Sequence, residues 1–174
     1  MLLPTIVIDT NVVLDWLLFD DPAVHALTTA VADRHVDWIA TAEMRDELAH
    51  VLKRGLASQR GALPARVLAT FDAHARVLPC PPPPGAAEAG WPCSDPDDQK
   101  FVDLARSAGA RWLLSRDRAV LKLARRARSA GLHILVPSAW RRDGAEIGTG
   151  VAGAAYAKRQ PLGLASTVPR TDQE

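Results

Sequence analysis

The sequence predicts an α/β fold with a mainly parallel central sheet flanked by helices, on three observations. First, short apolar, β-branched or aromatic runs recur: Thr5-Ile6-Val7-Ile8, Trp38-Ile39-Ala40-Thr41, Trp112-Leu113-Leu114 and His133-Ile134-Leu135-Val136. Continuous apolar runs of this length are the mark of strands buried on both faces of a parallel sheet. Second, helical periodicity fills the stretches between these runs, and strands alternating with helices build a layered parallel sheet. Third, 174 residues with 48% hydrophobic and 24% charged side chains suffice for one domain with a sizeable core.

The elements follow in order. Thr5-Ile6-Val7-Ile8 ends abruptly at Asp9-Thr10-Asn11, and a helical pattern continues through Val12, Val13, Trp16 and Leu17. Pro22 suits the first turn of a second helix, with Val24, Leu27 and Val31 on one face. After the second strand, residues 42 to about 54 form a helix whose stripe is Met44, Leu48, Val51 and Leu52, with Gly55 as its stop. Residues 64–74 read as another helix. Residues 79–96 hold Pro79, Pro81, Pro82, Pro83, Pro84, Gly85, Gly90 and Pro92, which forbid a regular hydrogen-bonded element and predict an extended connector. A helix from Asp98 to about Ser107 turns Phe101, Leu104 and Ala105 inward, and Gly109 caps it. The third strand, 112–114, leads to a helix from Asp117 to Gly131, and the fourth, 133–136, is closed by Pro137. The reading places one domain at 1–142 and a flexible tail at 143–174, rich in Gly, Ala, Pro and Thr without periodicity.

Several classes are excluded on composition. No apolar run approaches the roughly 20 residues of a membrane helix, and no basic segment precedes an apolar one at the start, so neither a span nor a signal peptide is expected. Cys80 and Cys93 are too few for a disulfide framework, and the five histidines show no ligand spacing. A reduced, cytoplasmic protein is the expectation. The net charge is only +1, yet residues 1–97 carry 7 Lys/Arg against 13 Asp/Glu and residues 98–142 carry 11 against 3. A basic segment of that kind suits a polyanion-binding face, and equally a solvated helix face.

Four acids are candidates for chemistry. In an open parallel sheet, ligands sit beyond the carboxyl ends of the strands. Asp9 follows the first strand directly, Asp117 follows the third through Ser115-Arg116, and Asp98 starts the helix that leads into that third strand. Each of these aspartates also suits a helix N-cap. Glu47 lies roughly 85° from the centre of its helix's apolar stripe, at the border of the buried face, while Asp46 lies nearly opposite; a border glutamate can equally extend into solvent. Two carboxylates about 5 Å apart repel by about 3 kcal/mol at an effective dielectric near 20, so a cluster of four calls for a cation. Carboxylate oxygens are the ligands preferred by Mg²⁺ and Mn²⁺, which serve phosphodiester displacement. Arg116, Arg118, Lys122, Arg125, Arg126 and Arg128 lie on or beside the helix after Asp117 and could track a phosphate backbone.

At these residues the chain resembles a PIN-domain ribonuclease of the group described as toxin components of toxin–antitoxin systems. The resemblance covers roughly residues 5–140. Ile8-Asp9-Thr10-Asn11-Val12 is similar to the family's opening strand and first acid, and Glu47-Leu48 with Val51-Leu52 to its E-L-x-x-V-L helix. Asp95-Pro96-Asp97-Asp98-Gln99-Lys100-Phe101 resembles its D-P-D-D-x-K-F segment, and Leu114-Ser115-Arg116-Asp117 its T/S-x-D. Three aspartates compete in the third motif. Asp98, 11 residues before Gly109, is in the expected register, with Asp95 and Asp97 as alternatives.

The resemblance implies a PIN-like three-layer α/β/α fold and metal-dependent cleavage of RNA, restrained by a small antitoxin protein. It implies that Asp9, Asp98 and Asp117 bind Mg²⁺ or Mn²⁺ and that Glu47 completes the acid set or orients the attacking water. Asn11 and Ser115 would be supporting donors, and Arg116, Arg118, Lys122, Arg125 and Arg126 would hold RNA. It also suggests a homodimer. One rival reading is a non-catalytic RNA-binding or protein-interaction module on the same fold, against which the retention of all four acids argues. A second is a phosphohydrolase or phospho-acceptor domain with Asp9 as nucleophile, but Asn11 stands where such a site wants a second aspartate.

Overall fold

A computed structural model of the chain describes residues 2–56, 63–81 and 90–141. The expected tail at 143–174 and the centre of the proline-rich connector lie outside these residues. Five strands form one parallel sheet: β1 (Thr5–Ile8), β2 (Asp37–Thr41), β3 (Arg76–Leu78), β4 (Trp112–Leu114) and β5 (His133–Leu135), in the order β3-β2-β1-β4-β5. The helices among the described residues are α1 (Thr10–Leu17), α2 (His25–Ala32), α3 (Ala42–Val51), α4 (Pro64–His74), α5 (Gln99–Ser107), α6 (Arg118–Leu121) and α7 (Ala124–Arg128). They flank the sheet in a three-layer α/β/α arrangement, as the sequence predicts.

The apolar runs form the middle of the sheet because they can be buried on both faces. In β1, Ile6 and Val7 are fully buried; Ile6 stands opposite Trp38 of β2 and Trp112 of β4, and Val7 opposite Ile39 and Leu113. Aromatic side chains close the core at two places: Trp38 meets Phe71 of α4 edge-on at 4.9 Å, and Trp112 meets Trp140 edge-on at 5.6 Å. Helix α5 packs on β1 and β4, and α7 on β5.

The sequence reading differs from the structure at several elements. It has four strands, whereas β3 makes a fifth, paired to β2 with Ile39 opposite Arg76. This strand is three residues long, and Arg76 and Val77 are exposed, so it carries neither a buried run nor a full alternation. The helix expected over 117–131 is two short helices, because the Leu123 N–H bonds the Val120 carbonyl at 3.0 Å and tightens the chain to a 3₁₀ turn between them. Two expected helix starts are likewise 3₁₀ turns, Pro22–Val24 before α2 and Pro96–Asp98 before α5, and α3 ends in a π turn over Leu52–Leu56.

The strand order reverses at β1. From β1 the chain moves to β2 and β3 on one side, then crosses to β4 on the other, and such a switch point leaves a crevice at the carboxyl ends of its two strands. Asp9 and Ser115 are the first residues past β1 and β4 there.

Candidate functional site

Asp9 is placed by the strand-to-helix junction. Its N–H extends the sheet by bonding the Leu114 carbonyl at 2.9 Å, and its own carbonyl accepts from Val12 and Val13 at the start of α1. The side chain, 1% exposed, accepts from the Asn11 N–H through Oδ1 at 3.2 Å and from the Ser115 hydroxyl through Oδ2 at 2.5 Å. Ser115, fully buried, accepts in turn from the Asp117 N–H at 2.9 Å. One hydroxyl thus ties the junction after β1 to the junction after β4. Asp117 Oδ1 caps α6 by accepting from the Ala119 N–H at 2.5 Å.

Asp98 closes the 3₁₀ turn before α5. Asp95 caps that turn, accepting from the Asp97 N–H at 3.0 Å, while the Asp98 carboxyl makes no capping hydrogen bond. Its pKa is pushed up to about 7 by burial, with the charges of Asp9, Asp117 and Asp95 adding to the effect and Lys100 opposing it. The Asp9 carboxyl is also raised, by burial first, against the Ser115 and Asn11 hydrogen bonds, with the charges of Glu47 and Asp117 adding. Asp9 therefore lies in the fields of Glu47 and Asp117, and Asp98 in those of Asp9 and Asp117. Of the three competing aspartates, Asp98 is the one in the field of Asp9 and Asp117, and Asp97 is exposed.

The other candidates fall out differently. Asn11 serves Asp9 through its main-chain N–H, and its side chain is exposed, so the donor expected there is the backbone. Arg116 is not a free phosphate contact: its guanidinium forks onto Asp15 of α1 and Asp21 of the turn before α2, the latter at 2.5 Å. Arg118, Lys122, Arg125 and Arg126 are exposed and enter no ion pair with a described residue. Arg118 adjoins Asp117, whereas Arg125 and Arg126 lie on the next helix, past the 3₁₀ turn.

Three residues at the site escaped the sequence reading as separate candidates. Lys100 places its ammonium 2.7 Å from Glu47 Oε2, a buried oxygen that has no hydrogen bond of good geometry. A lysine in the first turn of a helix opposes the helix dipole, and that is the signal that could have flagged it. Gln99 straps the segment before the turn, accepting from the Cys93 N–H at 2.7 Å and donating to the Trp91 carbonyl at 3.2 Å. The Cys93 thiol is pushed up by burial, with Asp98, Asp117 and Asp95 adding to the effect.

A family model described as PIN domain matches residues 5–119, the stretch that carries all four acids. The chain belongs to the PIN domain family. PIN domains are commonly nucleases acting on RNA, which places this one among the hydrolases at a coarse level. No curated protein matches the chain. Among the described residues no helix is long and apolar enough to cross a membrane.

PIN domains generally use Mg²⁺ or Mn²⁺, and the donors present can be tested against such an ion. Among the described residues no three Asp, Glu, His or Cys side chains converge closely enough to hold an ion as they stand. The chemistry nevertheless fits: the donors are all carboxylate oxygens, they repel one another, and Asp98, which caps nothing, can turn by rotation about its side-chain bonds.

Proposed function

We propose that this protein is a divalent-metal-dependent ribonuclease and the toxin of a toxin–antitoxin pair. The observation that carries the reading is the Ser115 bridge, which joins Asp9 to the Asp117 junction beside an Asp98 carboxyl raised to about 7. Asp9, Asp98 and Asp117 would hold Mg²⁺ or Mn²⁺. That ion, when bound, supplies an activated water and stabilises charge on the phosphate. Ser115 fixes the direction of the Asp9 carboxylate by donating to Oδ2 and holds the Asp117 main chain by accepting from its N–H. Glu47 would complete the acid set or help orient the attacking water. Arg118, next in sequence to Asp117 and exposed, would meet the substrate backbone, with Lys122, Arg125 and Arg126 extending the track.

A small antitoxin protein is the partner that this reading requires, and a homodimer accompanies it in the resemblance. A second reading, a non-catalytic RNA-binding or protein-interaction module, draws on the fact that among the described residues no three donors converge as they stand. Calorimetric Mn²⁺ binding to the wild type and Asp9→Asn, with RNA cleavage assayed on the same samples, separates the two. Metal-dependent cleavage by the wild type, with both binding and cleavage lost in Asp9→Asn, is the expected result. Absence of Mn²⁺ binding in the wild type would favour the module.

A further inference from the structure

Glu47 is paired with Lys100, a residue that the proposed reaction does not use. Glu47 sits on α3 and Lys100 in the first turn of α5, and the two meet at 2.7 Å across the acidic crevice with side chains 34% and 15% exposed. The ammonium has further partners: its Nζ donates to the Asp97 carbonyl and lies 5.2 Å from the Phe101 ring centroid. Those contacts fix it on the side of the crevice that Asp98 occupies. Glu47 Oε2 is buried and has no hydrogen bond of good geometry, so the ammonium is its counter-charge.

Resting on the nuclease reading, we propose that Lys100 is a built-in cation that reserves Glu47 and limits the acid cluster to one divalent ion. Four carboxylates around a crevice can serve two divalent ions, which share one acid between them and take the others singly. Here Asp9 would be the shared acid, because the fields of Glu47 and Asp117 act on it and its own acts on Asp98. A second ion would then have to bind Glu47. That oxygen already faces an ammonium held from two further directions, and a divalent ion placed there would lie against a fixed positive charge. Asp9, Asp98 and Asp117 stay available to one ion, and Glu47 stays aligned as a carboxylate at the border of the crevice. Lys100 is in this sense a positioning residue: it acts through Glu47 and through the charge it adds.

The experiment is Mn²⁺ titration calorimetry on metal-stripped protein, for wild type, Lys100→Met, Lys100→Arg and Lys100→Met/Glu47→Gln, with thermal melting in EDTA and in Mn²⁺ as a second readout. Expected are one ion for the wild type and Lys100→Arg, two for Lys100→Met, and one again for the double variant. Lys100→Met should also melt lower than wild type in EDTA and gain more from Mn²⁺, because Glu47 has lost its partner. Two ions on the wild type, or one ion on Lys100→Met with an unchanged Mn²⁺ gain in melting, overturns the proposal and leaves the nuclease reading standing. No ion on the wild type overturns both.

Discussion

At the scale of single residues the site is governed by charge that protein contacts compensate unevenly. Asp9 has two hydrogen-bond donors, Glu47 has an ammonium, and Asp117 has a helix N–H, while Asp98 has no capping contact and sits in the field of three other acids. Burial first, with those charges adding to it, holds the Asp98 proton to about 7, against an ordinary 3.8. The sign of the consequence is fixed by linkage. Between those values the folded protein binds more proton than the unfolded chain, so metal-free stability falls as pH rises from about 4 to 7. Melting in EDTA across that range should show the decline, and Asp98→Asn should flatten it. Mn²⁺ affinity should run the other way, weakening as pH drops below about 7, since a bound carboxylate must give up its proton. Ser115 supports the prediction easiest to isolate. Ser115→Ala leaves the Asp9 carboxylate and the Asp117 N–H short of a partner in a buried place, which costs about 1–3 kcal/mol. Chemical denaturation should read that loss, and cleavage should fall with it.

At the scale of elements, ion pairs decide which loops hold still. The Arg116 guanidinium reaches α1 through Asp15 and the turn before α2 through Asp21, so the segment that carries Ser115 and Asp117 is pinned to two other elements. These groups are partly exposed, and the stability at stake is under about 1 kcal/mol. Arg116→Ala should accordingly leave melting nearly unchanged and leave the salt dependence of RNA binding unchanged too, since the guanidinium is already committed. Reversing charge at Arg125 and Arg126, which have no ion partner among the described residues, should weaken RNA binding and flatten its dependence on salt. Binding measured over a range of salt concentrations distinguishes the two outcomes. A changed salt slope in Arg116→Ala would return that residue to the phosphate track, and an unchanged slope in the reversal variant would assign α7 to solvent. The remaining elements were legible to different degrees. Strands β1, β2, β4 and β5 announce themselves because each carries an apolar run that is wholly or partly buried. Strand β3 does not, because two of its three side chains are exposed and it is a strand through its pairing with β2.

At the scale of the whole molecule, the sheet order creates the site. Because β4 lies against β1 and not beyond β3, residues 9 and 115–117 meet at one edge, and the turn before α5 joins them from the segment that leads into β4. The sequence by itself determined the α/β class, the positions of four of the five strands, and the placement of acids where strands hand over to helices. These are local matters of periodicity, apolar run length and turn chemistry. Which partner each charge chose was decided only by the tertiary structure. Arg116 found Asp15 and Asp21 from 101 and 95 positions away, and Lys100 found Glu47 across the crevice between two helices. The physical reason is that an ion pair depends on distance in space, and strand order, which no local pattern encodes, sets that distance.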